Sequence, residues 1–230
     1  MKKEDVSIVP SPDVVQKEQS SSIVEIPTKP IYSFLKRCFD IACSVVGLII
    51  LFVPLVIISV IIFIDSPGGS PIYVQQRIGK GGKPFKFYKF RSMVPNAESM
   101  LDSLLKDNEV DGPAFKMKDD PRVTRFGRFI RRTSIDELPQ LWNVLKGDMS
   151  LVGPRPPLPR EVAQYNECQH NRLAITPGIT CYWQVQPKRN SLTFDEWCEL
   201  DFKYIQERSF KTDIIILFKT IGAVCGMEGE

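Results

Sequence analysis

The chain has 230 residues, 43% of them hydrophobic, and a formal net charge of +3 at pH 7, which allows a packed core in one large domain or two small ones. His170 is the only histidine, which excludes a multi-histidine metal site and disfavours Ser-His or Cys-His nucleophilic machinery. The six cysteines form no CxxC pair, so neither a zinc site nor a disulfide framework is indicated. Carboxylates and arginines are left to carry any catalysis.

The N-terminal quarter of the chain predicts a disordered tail over residues 1–30 and a membrane helix over 31–66. From Ile41 to Ile64 the sequence is apolar and uncharged, long enough to enter a bilayer. Pro54 should kink or break this helix into halves of roughly 20 Å, too short to cross a hydrocarbon core of about 30 Å. Proline also occurs in helices that cross the membrane completely. Basic residues flank both ends of the segment, so the positive-inside rule does not assign either end to one side of the membrane. We favour a re-entrant helix over a span, with both ends cytoplasmic.

Residues 67–230 predict a small cytosolic domain of the α+β class, mostly helical. Strand-like runs on either side of residues 79–82 predict a short β-hairpin with a glycine turn. Helical spacing predicts helices over 97–107, within 121–132, over 159–173, over 194–207 and over 213–224. Thr193 and Glu196 predict a capping box at the fourth of these. The last helix is too short to cross a bilayer, so interfacial burial and core packing both remain open for it.

Two adjacent carboxylates, Asp136 and Glu137, lie in the segment that most suggests chemistry. A helix is predicted from Ser134 to Lys146, with Ser134 as its N-cap and Glu137 completing a capping box. The simplest interpretation is structural, since acidic residues in a helix's first turn stabilise it. The positive field of Arg131 and of the helix N-terminus favours a second interpretation, because it keeps Asp136 ionised. An ionised carboxylate can attack phosphorus and form an acyl phosphate.

Two further arginines are candidates for phosphate binding. Arg155 lies between two prolines, so a stiff loop presents its guanidinium, although an ordinary proline turn with an exposed arginine would read the same way. Arg189 is the second candidate, and Trp183 nearby is predicted to pack. Asp119 and Asp120 form another acidic pair, but no nucleotide-binding βαβ pattern precedes them, so a metal site there is the weaker hypothesis.

Four segments in order resemble the bacterial sugar transferase family, the monotopic phosphoglycosyl transferases: KRCFDIACSVVG, QQRIGKGGKPFKFYKFRSM, DPRVTRFGRFIRRTSIDELPQLWNVLKGDMSLVGPRP and PGITCYWQV. The resemblance covers the chain from about Lys36 onward. It implies transfer of a phosphosugar from a UDP-sugar to polyprenyl (undecaprenyl) phosphate, with release of UMP. It also implies a re-entrant membrane helix broken at a proline, which Pro54 matches.

Carried over position by position, the resemblance implies a role for each candidate. Asp136 is the nucleophile and a ligand of Mg²⁺, Glu137 is its partner in a catalytic dyad, and three arginines contact phosphate groups: Arg131, Arg155 and Arg189. Mg²⁺ also suits the residues themselves, because it accepts one or two carboxylates plus substrate phosphates and needs no dedicated protein cage. After WQV the chain reads QPKRN, where relatives commonly have a serine-glycine-arginine-asparagine stretch.

The implied pathway position is the first membrane step of exopolysaccharide, capsule or glycan assembly. The expected partners are the UDP-sugar donor, the polyprenyl phosphate acceptor and the bilayer, with no nucleic acid, at the cytoplasmic face of the inner membrane. Two alternatives stay open. One is a direct-displacement membrane glycosyltransferase, which would release UDP. The other is a non-catalytic adaptor that binds acidic lipid through the basic region from Arg77 to Arg132.

Overall fold

The computed structural model describes residues 26–104, 106, 117, 119–187 and 189–225. This part of the chain is mostly helical with two small two-stranded sheets, which confirms the predicted α+β class. Most of the predicted tail, residues 1–25, lies outside the described residues. The helices are α1 (Pro30–Asp65), α2 (Leu101–Leu104), α3 (Arg125–Arg132), α4 (Gln140–Lys146), α5 (Pro159–Val162), α6 (Glu167–His170), α7 (Phe194–Glu207) and α8 (Phe210–Cys225). The strands are β1 (Ile72–Ile78), β2 (Pro84–Phe90), β3 (Ser150–Val152) and β4 (Gly178–Thr180). Short 3₁₀ turns cover Lys80–Gly82, Ile135–Glu137, Asn171–Ala174 and Arg189–Ser191.

The long helix α1 continues through Pro54, so the predicted break at this residue is wrong, whereas the predicted alternative, a kink at Pro54, stays a prediction. The proline removes one backbone hydrogen bond, but packing on both sides of it supports the helix. Before the proline, Gly47 lies so near α4 that an added Cβ would be 3.2 Å from Leu141 Cδ1. After it, Ile62 is buried in a core cluster. The 36 residues extend about 54 Å, and by length and composition alone the helix is apolar enough to cross a membrane.

One stripe of α1 packs against the rest of the chain. Asp40, Ser44 and Ile62 are 3%, 0% and 3% exposed, and their spacings return to one face of a 3.6-residue helix. The other faces of the helix carry exposed apolar side chains: Val46, Ile49, Ile50, Phe52, Val53, Ile57, Phe63 and Ile64. An apolar surface of this extent marks a site of contact with lipid or protein.

Polar contacts fix the first half of α1 to two elements of the domain. Arg37 donates through Nη1 to the carbonyl of Val144 at 2.6 Å and through Nη2 to the carbonyl of Leu145 at 2.8 Å, both in the last turn of α4. A guanidinium at the end of a helix satisfies carbonyls that have no partner within the helix. Asp40 accepts from Ser150 Oγ at 2.7 Å and from Leu151 N at 3.1 Å, both on β3. The long helix α1 therefore helps position both α4 and β3.

The predicted hairpin is confirmed, because β1 and β2 pair antiparallel along their full lengths. Gly81 and Gly82 in its turn have φ of 66° and 76°, which glycine adopts without strain. Sequence reasoning missed β3 and β4, which pair in parallel with Ser150 opposite Gly178. Each of these strands has only three residues, too few to show an alternating pattern.

The predicted continuous helix from Ser134 to Lys146 is wrong, because the 3₁₀ turn Ile135–Glu137 and α4 occupy this segment separately. Pro139 lies between them, and it has no N–H to donate to the carbonyl four residues earlier. The predicted capping box is also wrong, since Ser134 has φ 55° and its side chain makes no capping hydrogen bond. The predicted end is confirmed: Gly147, with φ 92°, closes α4.

Two other predicted helices are shorter than expected. The segment 159–173 contains α5, α6 and a 3₁₀ turn instead of one helix. Asn166 accounts for the interruption, because its side chain accepts from Gln169 N at 2.8 Å and caps a new helix at that point. The segment 97–107 contains α2, which covers four residues, and residues 105 and 107 lie outside the described part of the chain.

The C-terminal helices agree with the sequence. Helix α7 has the predicted bounds, and Thr193 and Glu196 form the predicted capping box, with Thr193 N donating to Glu196 Oε2 at 2.6 Å. Helix α8 contains the predicted segment and extends it at both ends. Its Ile216 is fully buried, whereas Phe218 and Ile221 are 70% and 60% exposed. The helix therefore both packs on the core and presents an apolar face outward.

Candidate active site

A strained turn between α3 and α4 presents the two adjacent carboxylates. Ser134 has φ 55° and ψ 16°, a left-handed conformation that is unfavourable for a residue with a Cβ. Among the described residues it is the only non-glycine residue with positive φ. The turn directs Asp136 inward, where it is 5% exposed, and leaves the Glu137 side chain 25% exposed. Such backbone strain persists only where the surroundings impose it, and it is frequent at functional sites.

Lys89 on β2 contacts both carboxylates. Its Nζ lies 3.1 Å from Glu137 Oε1 and 3.6 Å from Asp136 Oδ2. An ammonium between two carboxylates weakens their repulsion of each other and of an approaching phosphate. Phe87, two residues earlier on the same face of the strand, has its ring centre 5.7 Å from the same Nζ. The hairpin therefore supplies a cation to the carboxylate pair.

Arg155 lies on the loop that follows β3, and close backbone contacts fix this loop. Gly153 N donates to the Thr180 carbonyl at 3.0 Å, and Gly178 N donates to the Pro154 carbonyl at 2.9 Å. A Cβ added to Gly178 would lie 2.0 Å from Gly153 N, so the two backbones approach as closely as only glycine allows. The loop is held rigidly, as its prolines predict.

Arg77 near the end of β1 supports the same loop from the other side. It is 7% exposed, and its Nη1 donates to the Pro156 carbonyl at 3.0 Å. Its Cζ lies 5.3 Å from the centre of the Phe87 ring. Burial, followed by the charge of Arg155, lowers the pKa of Arg77 to about 10, so the guanidinium remains protonated at neutral pH.

Several of these side chains line one pocket of about 250 Å³, its open mouth included, and Asp136 contacts one of them, Lys89. Three cations and one carboxylate line it, namely Arg77, Lys89, Arg155 and Glu137. Gln140, at the start of α4, also lines the pocket and is 1% exposed. A partly enclosed wall with an excess of positive charge concentrates anions, because low-dielectric surroundings strengthen the field. The pocket is suited to a phosphorylated ligand.

The two remaining predicted arginines lie at different distances from this pocket. Arg131 is in the last turn of α3, just before the strained turn, and is partly buried. Arg189 donates through Nη1 to the backbone carbonyl of Gln184 at 3.0 Å, and Gln184 lines the pocket. Of the predicted site residues, Glu137 and Arg155 line the pocket, Asp136 contacts the pocket residue Lys89, and Arg189 contacts the backbone of the pocket residue Gln184. The phosphate-binding roles of Arg131 and Arg189 stay predictions.

One member of the other acidic pair, Asp120, is already engaged in the fold, whereas Asp119 is exposed. Asp120 forms an ion pair with Arg122, with Oδ2 2.6 Å from Nη2 and Oδ1 2.9 Å from Nε. Burial alone would raise the pKa of Asp120, but the hydrogen bonds and charge of Arg122 outweigh it and hold the pKa below its usual value. Trp183 packs as predicted, stacked on Trp197 with ring centres 4.5 Å apart.

Sequence reasoning missed three residues of this pocket: Arg77, Lys89 and Gln140. The run FKFYKF gave one usable signal, because Phe87 and Lys89 are two residues apart and therefore share a strand face. Gln140 gave none, since a polar residue in the first turn of a helix is ordinary. The sequence shows Arg77 only as one of many positive charges, at the start of the basic region from Arg77 to Arg132, and gives no sign that it is buried.

Residues 31–227 match a protein-family model described as bacterial sugar transferase. The chain is 48% identical over 195 residues to a galactosyl transferase, CpsE, of Streptococcus agalactiae, an alignment covering 84% of this chain and 43% of that protein. It is 46% identical over 200 residues to an undecaprenyl-phosphate galactose phosphotransferase of Salmonella typhimurium, covering 85% and 41%. It is 38% identical over 206 residues to the exopolysaccharide production protein ExoY of Sinorhizobium fredii, covering 88% and 90%. The chain thus spans less than half the length of the first two relatives and most of the third. With a family match over most of its length, the chain belongs to the bacterial sugar transferase family.

Proposed function

We propose that this protein transfers a phosphosugar from a UDP-sugar to polyprenyl phosphate at the membrane surface and releases UMP. One observation carries the proposal: the buried Asp136 lies beside Glu137 and Lys89, and these two residues line a cationic pocket together with Arg155. The names of two relatives point to the same chemistry, since one is a galactosyl transferase and the other an undecaprenyl-phosphate galactose phosphotransferase. UDP-galactose is therefore the first donor to test.

The reaction proceeds in two displacements at one phosphorus atom. An oxygen of Asp136 bonds to the β-phosphorus of the donor, and the bond from that phosphorus to the bridging oxygen breaks. The bonding electrons leave with UMP, and the phosphosugar stays on Asp136 as an acyl phosphate. An oxygen of polyprenyl phosphate then bonds to the same phosphorus, and the bond to Asp136 breaks. The carboxylate is regenerated, and each half-reaction is complete without the other substrate.

The other residues of the pocket orient and neutralise charge. Lys89 lies between the two carboxylates, so it limits their repulsion of the donor's phosphates. Glu137 pairs with Lys89 at 3.1 Å and so holds the ammonium beside the nucleophile. Arg155, on its rigid loop, offers a planar fork of donors that matches phosphate oxygens. Fixed positive charge in a partly enclosed site stabilises the transition state without reorganising during the reaction.

The carboxylate pair fits Mg²⁺ in its usual mode with phosphorylated substrates. Mg²⁺ takes one or two carboxylates and completes its octahedral shell with phosphate oxygens and water. Among the residues that the structure describes, no group of three or more Asp, Glu, His or Cys could hold a metal ion. Asp136, with Glu137 beside it, would hold the ion together with the substrate. When bound, the ion would supply charge neutralisation at the phosphate oxygens.

The contacts of α1 support a re-entrant arrangement. At the N-terminal end, Lys29 Nζ donates to the backbone carbonyls of Gln206 and Arg208 at 3.1 and 2.8 Å. At the C-terminal end, Asp65 Oδ2 accepts from Phe126 N at 3.3 Å. Both ends of the helix therefore touch the same cytosolic domain, whereas a straight span would separate them by a hydrocarbon core of about 30 Å. We place both ends at the cytoplasmic face of the inner membrane.

Exposed apolar side chains on other helices support the same placement. Phe218 and Ile221 on α8 are exposed beside Lys219, and Phe129 on α3 is 52% exposed beside Arg128. Apolar residues flanked by lysine or arginine suit the boundary between headgroups and acyl chains. We therefore place α8, for which interfacial burial was one of two expectations, and also α3 at the membrane interface. They would hold the pocket at the height of a lipid phosphate.

Cysteine labelling tests the topology. Ser33→Cys and Lys80→Cys, each in a background without native cysteines, place exposed thiols on either side of the apolar part of α1. A membrane-impermeant maleimide is expected to label both thiols in inside-out vesicles and neither in right-side-out vesicles. Labelling of the two thiols from opposite sides would contradict the re-entrant arrangement and establish a span.

The nucleotide product tests the reaction. Membranes supplied with UDP-galactose and undecaprenyl phosphate are expected to release UMP, with parallel-line initial-rate plots, because the first product leaves before the acceptor reacts. Release of UDP would contradict the proposal in favour of direct displacement. Salt-sensitive binding to acidic vesicles without any nucleotide release would favour the adaptor, because screening weakens only the electrostatic attraction.

A further inference from the structure

Arg77 is a buried cation without a paired anion in the described part of the chain. No described carboxylate lies within 4.0 Å of its guanidinium, and its two contacts are the Pro156 carbonyl and the face of the Phe87 ring. Its Nε is buried and makes no hydrogen bond to a described residue. A charged group taken out of water without an opposite charge is unfavourable. The nearby charge of Arg155 makes the position less favourable still, and the charges of Glu161 and Glu137 offset these effects only in part, because the pKa of Arg77 stays lowered.

Gln140 is a second unpartnered polar group on the same pocket. The residue is 1% exposed, and its Nε2 makes no hydrogen bond to a described residue. Buried polar groups in folded proteins nearly always have partners, so an exception needs an explanation. Two such exceptions on the wall of one pocket indicate that a ligand supplies the missing acceptors. The ligand must be anionic, because Arg77 and Arg155 both contribute positive charge.

The hairpin places two cations of the pocket, Lys89 and Arg77, near the same aromatic ring. Lys89 Nζ and Arg77 Cζ lie 5.7 and 5.3 Å from the centre of the same Phe87 ring. Lys89 is the cation that contacts the carboxylate pair, and Arg77 is the one that contacts the loop of Arg155. A diphosphate with its attacked phosphorus beside Lys89 has a second cation, Arg77, within reach of its other phosphate across the Phe87 ring.

We propose that Arg77, supported by Gln140, binds the phosphate that departs with the nucleotide and not the phosphate that is transferred. The inference rests on the proposed function, because it assigns a position to the leaving group of that reaction. When the phosphorus–oxygen bond breaks, the electron pair goes to the bridging oxygen, and the charge on the departing nucleoside monophosphate rises from −1 to −2. Arg77 stabilises this added charge and so assists only the first displacement.

A competing explanation is that Arg77 has only a structural role and binds the Pro156 carbonyl to hold the loop of Arg155 in place. The kinetic constants separate the two explanations, because in a two-step displacement kcat/KM for each substrate reports only its own half-reaction. If Arg77 only positions Arg155, its removal would lower kcat/KM in both half-reactions, because the transferred phosphate is present in both. A leaving-group site affects the donor half-reaction alone.

The test compares Arg77→Gln and Arg77→Lys with Lys83→Gln, which removes an exposed charge from the loop of the same hairpin. Arg77→Gln is expected to lower kcat/KM for the UDP-sugar about 100-fold and to leave that for polyprenyl phosphate within about twofold. UMP should inhibit Arg77→Gln at least about 30-fold more weakly, while inhibition by uridine is unchanged. Arg77→Lys should recover part of the loss, because it keeps the charge without the fork. Lys83→Gln should match the unaltered protein.

Equal losses in both half-reactions, or UMP inhibition unchanged in Arg77→Gln, would overturn the inference. If Arg77→Gln is too slow for kinetic measurement, calorimetry measures the binding of UMP and of uridine to the variant and to the unaltered protein directly. A loss of UMP binding with uridine binding retained supports the phosphate contact, and equal binding of UMP by both proteins refutes it. If the unaltered protein releases UDP instead of UMP, the proposed function fails by its own measurement, independently of any Arg77 variant.

Discussion

Asp136→Asn is expected to reduce turnover by at least about a thousandfold, because it removes the negatively charged oxygen that attacks phosphorus. The amide is nearly the same size as the carboxylate, so the turn at Ser134 and the packing around it should be retained. Loss of a nucleophile cannot be compensated by neighbouring groups: Glu137 is the adjacent residue, but its side chain pairs with Lys89 at the pocket wall. UMP release with saturating donor and acceptor is the measurement.

The control for this variant is Asp119→Asn, which neutralises an exposed carboxylate that does not line the pocket. It should retain nearly full activity. Both variants should melt within a few degrees of the unaltered protein in the same detergent. Asp136→Asn activity above about a tenth of the original would be inconsistent with a covalent route through this carboxylate.

Lys89→Met is expected to lower kcat/KM for the UDP-sugar about 100-fold. Methionine keeps the apolar stem against Phe87 but removes the ammonium that lies 3.1 and 3.6 Å from the two carboxylates. Without it, adjacent negative charges repel both each other and the donor's diphosphate. Raising the salt concentration should reduce the loss of kcat/KM in Lys89→Met, because ions screen repulsion between charges that are in contact with solvent. Initial rates of UMP release at two ionic strengths provide the measurement.

Two variants on the same strand make this prediction specific. Lys89→Arg keeps the positive charge and should retain most of the activity. Lys86→Met removes an exposed lysine from the opposite face of β2 and should leave the rate unchanged. A Lys89→Met variant that works as well as Lys86→Met would show that the contact with the carboxylates has no part in catalysis.

Elements governed by local rules agree best with the sequence. The capping box of Thr193 and Glu196 fixes the start of α7 at the predicted residue, and the glycines of the hairpin loop allow the predicted turn between β1 and β2. Gly147 likewise closes α4 at the predicted residue. In each case a short stretch of sequence contains the whole physical cause.

Features decided by distant contacts did not follow from the sequence. Lys89 reaches Glu137 across 48 positions, and Arg77 reaches Pro156 across 79, and no local pattern records either contact. The left-handed conformation of Ser134 is imposed by its surroundings against its own preference. At Pro54 the local signal predicts an interruption of the helix, but packing along α1 maintains the helix there.

Mass spectrometry of the protein incubated with donor alone tests the central claim most directly. Without polyprenyl phosphate, the second displacement cannot occur, so the phosphosugar should accumulate on the chain with one equivalent of UMP released. Rapid acid quenching and peptide mapping should locate the added hexose phosphate at Asp136, and the adduct should disappear when polyprenyl phosphate is supplied. Product formed in the complete reaction by a protein that never carries this adduct would contradict the account.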